Sequence, residues 1–234
     1  MFSNLKFLKK GSKRLSGRNN QGIITIRYRG GGIKKKVFFI DFFRNYKNQG
    51  FTVYGYYHRS NKFASLAILQ NDKKQYHAIL NAKNLLVGDK VNNYFTSYFD
   101  NFEIGSSYFL GIFPIGSHIH NLEIQPTFGG KLIKAAGCFG IILQKSINVL
   151  VKLPSGQVAF FPLNCRATFG EISSFKKINT LTKAGQSRWL GRRPSVRGTA
   201  INAVDHPHGG GEGKSYLGRI PVSPWGSIIK GKKK

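Results

Sequence analysis

Residues 204–213, VDHPHGGGEG, bring together the side chains of this sequence that are best able to do chemistry. Asp205, His206, His208 and Glu212 are possible metal ligands, and three consecutive glycines lie among them. By residue type alone, the run could be a metal clamp, a phosphate cradle, an oxyanion loop, or a backbone segment shaped to lie against a flat partner. The spacing of its residues and the neighbouring sequence discriminate among these possibilities.

The spacing disfavours two catalytic sites. A phosphate-binding P-loop needs G-x-x-x-x-G-K-[ST] between a strand and a helix. Gly213, Lys214 and Ser215 match its end, but His208 occupies the position of the first glycine, and the prolines that follow disfavour a helix. An esterase-type oxyanion loop needs a serine in G-x-S-x-G, a pentapeptide that is absent from the chain.

A metal site is also disfavoured. His206 and His208 are separated by one residue, so in an extended segment their rings point to opposite sides and chelate one ion poorly. His118 and His120 repeat this spacing. A solvated loop without a special role remains an alternative. The sequence favours close contact with a polyanion, because glycines lack a Cβ and let main-chain amides approach phosphates. We therefore expect no cofactor, and any magnesium ions to belong to the nucleic acid.

The charge of the chain supports a polyanionic partner. It has 37 Lys and Arg against 9 Asp and Glu, a net charge of +28. Residues 1–40 carry +11 and residues 188–234 carry +8, so a moderately charged middle lies between two basic ends. Such an excess indicates nucleic acid, with an anionic membrane surface as the alternative. No apolar run is long enough to span a bilayer, which predicts no membrane span.

The cysteines and the N-terminus indicate the compartment. Cys138 and Cys165 form neither a disulfide framework nor a C-x-x-C motif, which is typical of a reducing compartment. The first residues, MFSNLKFLKKGSKRL, are basic and lack acids. They fit either a transit peptide or the basic arm of an RNA-binding protein.

The elements that must position these residues are predicted to be strands. ITIRYR at residues 24–29 alternates apolar and basic side chains, which predicts a half-buried strand with a basic outer face. Short strands separated by turn residues suggest two small barrels in series. The first has strands at 24–29, 37–43, 51–57, 63–69 and 75–80, and the strand-and-turn pattern at 85–91 marks its end. The second has strands at 118–124, 138–144, 148–153, 157–162 and 165–172.

The other segments are predicted to be irregular. Pro154-Ser155-Gly156-Gln157 is a hairpin turn signal. Residues 92–117 are interpreted as a connection, and residues 174–187 as a helical turn or two. After about residue 188, glycine and proline are too dense for a helix or a paired strand. We expect that tail to need an external template.

Several of these segments resemble one known family. RWLGRRPSVRGTAINAVDHPHGGGEGKSYLGRIPVSPWG, residues 188–226, closely resembles the C-terminal segment of the universal large-subunit ribosomal protein two family. GRNNQGIITIRYRGGG at 17–32 is similar to that family's entry to its first barrel. The resemblance covers roughly residues 16–234, with further matches at 58–69, 85–91, 114–124, 129–137, 153–158 and 164–172.

The resemblance implies an all-β fold: an OB-fold barrel, then an SH3-like barrel, with extended basic N- and C-terminal segments. The expected divisions are a basic arm at 1–21, the OB-fold at 22–104, the SH3-like barrel at 105–187 and a basic tail at 188–234. The implied function is a structural constituent of the large ribosomal subunit that binds rRNA and supports subunit association and the peptidyl-transferase region. RNA is then the catalyst, and the chain is not an enzyme. The competing hypothesis is an RNA- or nucleotide-processing enzyme that uses the histidine–glycine loop.

The implied partners are large-subunit rRNA, other large-subunit proteins and the small subunit, without a small-molecule substrate. His206 corresponds to a family histidine associated with peptide-bond formation. The residues expected to contact rRNA are Arg18, Asn19, Asn20, Arg27, Arg29, Gly30, Gly31, Gly32, Lys34, Lys35, Lys36, Arg59, Arg166, Arg188, Trp189, Arg192, Arg193, Arg197, Asp205, His206, His208, Gly209, Gly210, Gly211, Lys214, Arg219 and Trp225.

The chain also departs from the family pattern. The arm before residue 17 and the tail after KGKKK are short, and Ala203 replaces a usual proline. Lysine outnumbers arginine by 25 to 12, as translation of an AT-rich genome would give. These features predict a mitochondrial member, with a plastid or a bacterial cytoplasm as alternatives.

Overall fold

The computed structural model describes residues 3–46, 50–58, 64–94, 101–174, 181–212 and 220–230. These residues form two compact units, Met1–Ser12 with Lys35–Asn179, and Lys13–Lys34 with Thr180–Lys234. The structure is nearly all sheet, and the only α-helix among the described residues is α1, Ala184–Trp189. The prediction of an all-β chain is confirmed.

The first sheet of the larger unit has the order β5-β4-β3-β6 and is antiparallel. A register irregularity between Val53 and Gly55 interrupts the pairing of β3 with β4, as expected where a sheet bends. Both faces of β4 are buried, because Leu66 and Ile68 pack on one side and Ala67 and Leu69 on the other. The strands of this half are β1 Lys9–Gly11, β2 Lys36–Phe38, β3 Phe51–Tyr57, β4 Leu66–Gln70, β5 Tyr76–Leu80 and β6 Lys90–Val91.

The N-terminal residues belong to this core. A 3-10 helix, Ser3–Leu8, buries Leu5 and Leu8 against Phe38, and β1 pairs with β2. Leu5 and Leu8 are therefore part of the hydrophobic core of the larger unit.

The second sheet has the order β13-β12-β11-β8-β14-β7. Its core includes Tyr108, Ile119, Ile142 and Val151, all fully buried. The strands of this half are β7 Ser107–Phe109, β8 His118–His120, β9 Leu122–Glu123, β10 Gly130–Leu132, β11 Gly140–Lys145, β12 Asn148–Lys152, β13 Val158–Pro162 and β14 Arg166–Phe169. The two curled antiparallel sheets fit an OB-fold followed by an SH3-like barrel.

Several sequence predictions need correction. Where a strand is predicted at 37–43, β2 ends at Phe38, and the predicted strand 118–124 divides at Asn121, where φ is 51°. The segment 92–117, interpreted as a connection, contains β7, whose partner β14 lies far along the chain. The hairpin at 154–157 is confirmed: Gly156 has φ 87° and its N–H donates to the Leu153 carbonyl.

The strand predicted at 24–29 is wrong. The Gly17 carbonyl accepts the N–H groups of both Thr25 and Ile26, at 2.9 and 3.0 Å, and Tyr28 has φ 59°. These contacts fold the segment into successive bends, and Ile26 is 57% exposed instead of half-buried. The alternating pattern is present, but local backbone bonds prevent a sheet.

The smaller unit contains α1 and a 3-10 helix, Gly198–Ala200. The helical turn predicted within 174–187 lies slightly later, at Ala184–Trp189. Beyond it, the longest pairing among the described tail residues is the single bridge Val222↔Ile228. The tail is therefore irregular, as predicted, but internal hydrogen bonds hold it together.

His120 provides a pH-dependent test of the larger unit. The ring is fully buried, and its Nδ1 lies 2.9 Å from the Gly170 carbonyl. Burial lowers the pKa of His120 from 6.5 to about 4; the Gly170 bond opposes this shift and the charge of Arg44 adds to it. The pKa of His120 is lower in the folded state than in the unfolded state, so the unfolded chain takes up a proton first as the pH falls. The free energy of unfolding is therefore highest above the unfolded pKa and decreases as the pH falls towards 4.

We expect the wild type to lose about 3 kcal/mol more unfolding free energy than His120→Gln between about pH 7 and pH 4. Glutamine can donate to the same carbonyl but does not titrate. Urea denaturation at several pH values measures the difference. Equal pH dependence of the two proteins would contradict the buried neutral imidazole.

Candidate nucleic-acid interface

Two segments from opposite ends of the sequence pair in the smaller unit. The Gly30 N–H donates to the Gly191 carbonyl at 3.0 Å, the Ile33 N–H to the Trp189 carbonyl at 3.1 Å, and the Arg193 N–H to the Tyr28 carbonyl at 3.0 Å. We call these paired segments, residues 28–33 and 189–193, the clasp. These backbone hydrogen bonds bring basic residues from both ends of the chain close together.

Gly32 and Arg14 explain why the clasp closes. A Cβ on Gly32, whose φ is 81°, would lie 2.6 Å from the Trp189 carbonyl oxygen and 2.8 Å from the Gly191 nitrogen, so only glycine fits. The Arg14 guanidinium donates to the carbonyls of Gly31 and Ile33. Arg14 was not among the predicted site residues, because nothing in its neighbourhood distinguishes it from other basic residues of the arm.

An open cleft of about 570 Å³ lies beside the clasp. The Arg27 guanidinium lies 5.4 Å from the centre of the Trp225 ring, and the Tyr28 hydroxyl donates to the Val196 carbonyl at 3.2 Å. Guanidinium groups can bind phosphates, and exposed indole and guanidinium planes can stack on bases. The cleft is lined by Ser16, Arg18, Ile24, Ile26, Arg27, Tyr28, Arg29, Arg193 and Trp225.

The arginines of this unit are available to an anionic ligand. The unit has 17 Lys and Arg against two acidic residues. The two ion pairs found within the described ranges join Glu171 to Lys83 and to His118, all in the larger unit. Seven arginines of the smaller unit are exposed: Arg18, Arg27, Arg29, Arg188, Arg192, Arg193 and Arg197.

The two histidines of the opening motif organise the tail. His206 is 9% exposed, and its Nδ1 accepts the His208 N–H at 3.0 Å. The His208 Nε2 accepts the Val222 N–H at 3.2 Å. Both atoms are acceptors, so the neutral rings carry their protons on His206 Nε2 and His208 Nδ1. Within the described ranges, no group of three or more His, Cys, Asp and Glu side chains could hold a metal ion.

The glycines of the motif serve the chain's own packing. A Cβ on Gly209 would lie 2.2 Å from the Asn202 carbonyl oxygen, and a Cβ on Gly198 would lie 2.5 Å from the His206 ring. Gly210 and Gly211 have φ of 79° and 92°, which favours glycine. Internal crowding therefore accounts for part of the triple glycine, for which the sequence predicts contact with a polyanion.

Comparison with known proteins decides the family. The family models for the RNA-binding N-terminal domain and the C-terminal domain of ribosomal proteins L2 match residues 5–93 and 103–226. The chain belongs to the ribosomal protein L2 family. Large ribosomal subunit protein uL2 of Orientia tsutsugamushi is 43% identical over 98% of this chain and 84% of its own length. Large ribosomal subunit protein uL2 of Wolbachia pipientis is 45% identical over 97% of this chain and 83% of its own length.

Other predicted residues of this L2-family chain make internal contacts. The Arg166 guanidinium donates to the carbonyls of Phe43 and Arg44 and to Asn45 Oδ1, at 2.9–3.3 Å. These bonds engage its NH1, so the structure gives Arg166 a role within the larger unit that the sequence did not predict. Asn19 Oδ1 accepts the N–H groups of residues 21 and 23 and shapes the loop.

The remaining predicted residues lie in three places. Asn20, Trp189 and Asp205 are exposed in the smaller unit, as is Lys34. Lys35 and Lys36 belong to the larger unit, where Lys36 begins β2. Arg59, Lys214 and Arg219 lie outside the described residues.

The sequence did not single out Arg44, which is almost fully buried. Its Nε donates to Asn93 Oδ1 at 2.7 Å and its NH2 group to the Gly105 carbonyl at 3.1 Å. Desolvation lowers the pKa of Arg44 to about 10, and Asp41 partly opposes this shift. An arginine count alone cannot separate such internal residues from those that face a ligand.

No described helix is long and apolar enough to cross a membrane.

Proposed function

We propose that this chain is a structural constituent of the large ribosomal subunit that binds rRNA through the smaller unit. The observation that carries the proposal is the set of seven exposed arginines that have no acidic partner among the described residues. Arg29, Arg192 and Arg193 lie in the clasp, and the Arg27 guanidinium lies beside the Trp225 ring. Phosphate contacts give affinity, and stacking on Trp225 gives local fit. The names and domain descriptions of the relatives support the same assignment.

The proposal includes finer parts. The bound protein supports subunit association and the peptidyl-transferase region, contacts neighbouring large-subunit proteins and the small subunit, and leaves catalysis to RNA. The divisions at 1–21, 22–104, 105–187 and 188–234 are proposed as an arm, two barrels and a tail. The location proposed is the mitochondrion, supported by the lysine-rich composition; the relatives named above are bacterial.

Sedimentation tests the central proposal. The tagged full chain should co-sediment with large subunits on a sucrose gradient and remain bound after a moderate salt wash. A free RNA-processing enzyme would stay near the top of the gradient. Fractionation of the source cells then decides the location, because a mitochondrial protein should follow organelle ribosomes.

His206→Ala tests the tail motif within particles. The ring is buried against Gly198 and accepts the His208 N–H, so its loss should leave a cavity and loosen residues 198–211. We expect subunits that carry the variant to assemble but to translate at least about tenfold more slowly, an effect of about 1.4 kcal/mol. His208→Ala, which leaves the His206 ring in place, is the matched variant. Normal translation by ribosomes that all carry His206→Ala would contradict the proposed role of His206.

A further inference from the structure

Strand β13, Val158–Pro162, forms one edge of the second sheet. It pairs with β12 along five residues without an irregularity, from Lys152↔Val158 to Asn148↔Pro162. It is the terminal strand of its sheet, and within the described ranges no strand pairs with its other side. This edge can therefore accept another strand.

The register fixes which main-chain groups face the free edge. The Leu153 N–H donates to the Gln157 carbonyl at 2.8 Å, so these two residues form a hydrogen-bonded pair. Hydrogen-bonded and non-hydrogen-bonded pairs alternate along an antiparallel ladder. Ala159 therefore bonds to β12, whereas the N–H and C=O groups of Val158 and Phe160 point away from it.

The outer face of this edge is apolar. Val158 is 49% exposed and Phe160 is 67% exposed, and Leu150 lies directly opposite Phe160 in the register. We call Leu150, Val158 and Phe160 the edge patch. Edge strands usually carry charges, prolines or bulges that prevent pairing. Here the only such feature is Pro162, at the last position of the strand.

Charge and side-chain type indicate what covers the patch. Residues 124–170 contain five Lys and Arg and no Asp or Glu, and Lys152 lies opposite Val158. An acidic partner complements this charge. RNA bases stack on aromatic or guanidinium groups, and Phe160 is the only such group in the patch. Leu150 and Val158 are aliphatic and suit the apolar side chains of a protein segment better than RNA bases.

We propose that an extended segment of a partner protein, with alternating apolar residues flanked by Asp or Glu, adds to the sheet beside β13 and covers the edge patch. Main-chain hydrogen bonds to Val158 and Phe160 supply affinity, and the apolar side chains supply specificity. The edge patch itself contains none of the basic residues proposed to bind rRNA. Its failure would therefore leave rRNA binding unaffected.

Amide hydrogen exchange of the full chain, followed by NMR, tests this proposal. The probe is the peptide Glu-Glu-Val-Thr-Val-Thr-Val-Glu-Glu. At about ten times its Kd, it should slow exchange of the Val158 and Phe160 amides about tenfold and leave the amides of Ala159 and Phe161 unchanged. The same peptide with N-methylated valines should have no effect, because it cannot pair as a strand.

Two variants separate edge pairing from misfolding. Val158→Pro removes an outward N–H without touching the β12 ladder, and Phe160→Lys removes the apolar contact. Both should abolish peptide binding while the Ala159 and Phe161 amides stay protected. Four results would each overturn the proposal: no slowing at millimolar peptide, equal slowing by a peptide with lysines in place of the glutamates, slowing by oligouridylate instead, or concentration-dependent slowing by a second copy of the chain.

Discussion

Binding of an rRNA fragment to this chain is expected to weaken about a thousandfold or more as salt rises from about 50 to 200 mM. Each arginine that neutralises a phosphate releases counterions, and the smaller unit has seven exposed arginines without a carboxylate partner in the described ranges. A filter-binding titration at several salt concentrations gives the slope of log affinity against log salt. A flat response would exclude phosphate contacts as the main source of affinity.

The cleft arginines should account for much of that slope. Replacing Arg18, Arg27, Arg29 and Arg193 together by glutamine should reduce the slope by about 0.7 to 0.9 per lost phosphate contact. The matched control removes the same charge from the larger unit, at four exposed lysines: Lys73, Lys74, Lys90 and Lys131. If the control lowers the slope as much as the arginine variant, affinity depends on total charge and the cleft is not the site.

Gly32→Ala is expected to open the clasp and to lower rRNA affinity about a hundredfold. Alanine at this position is strained at φ 81° and would meet the Trp189 carbonyl oxygen at 2.6 Å. Strain of this kind costs about 1–3 kcal/mol, and the backbone contact adds to it. Loss of the clasp separates Arg29 from Arg192 and Arg193. Limited proteolysis of the free protein should then cleave near residues 189–193 faster than in the wild type.

Gly31→Ala is the control for this substitution. Gly31 also has a positive φ, 63°, but a Cβ there would meet nothing within 4 Å. Both variants therefore carry backbone strain, and only Gly32→Ala carries the clash. Similar proteolysis and similar rRNA affinity for the two variants would show that strain alone matters and that close packing in the clasp does not.

Local sequence patterns predicted much of the larger unit. Alternation predicted Phe51–Tyr57 with its observed bounds, and the turn residues at 154–157 predicted the hairpin between β12 and β13. These features depend on neighbours a few residues apart. The same alternation failed at 24–29, because the Gly17 carbonyl captures two amides that a strand would need. Periodicity reports which side chains could share a face, but not whether the backbone has a partner.

The sequence by itself determined the charge of this protein, its need for an anionic partner, its β architecture and, through the 188–226 motif, its family. Only the tertiary structure decided which basic residues are exposed and which contact other parts of the chain. It buried Arg44 and placed Arg166 on internal carbonyls, and it joined Gly30 to Gly191, 161 residues away. Internal and exposed arginines have the same local sequence signature. Their roles differ because carbonyl acceptors and close backbone contacts come from distant segments, and these meet only when the chain folds.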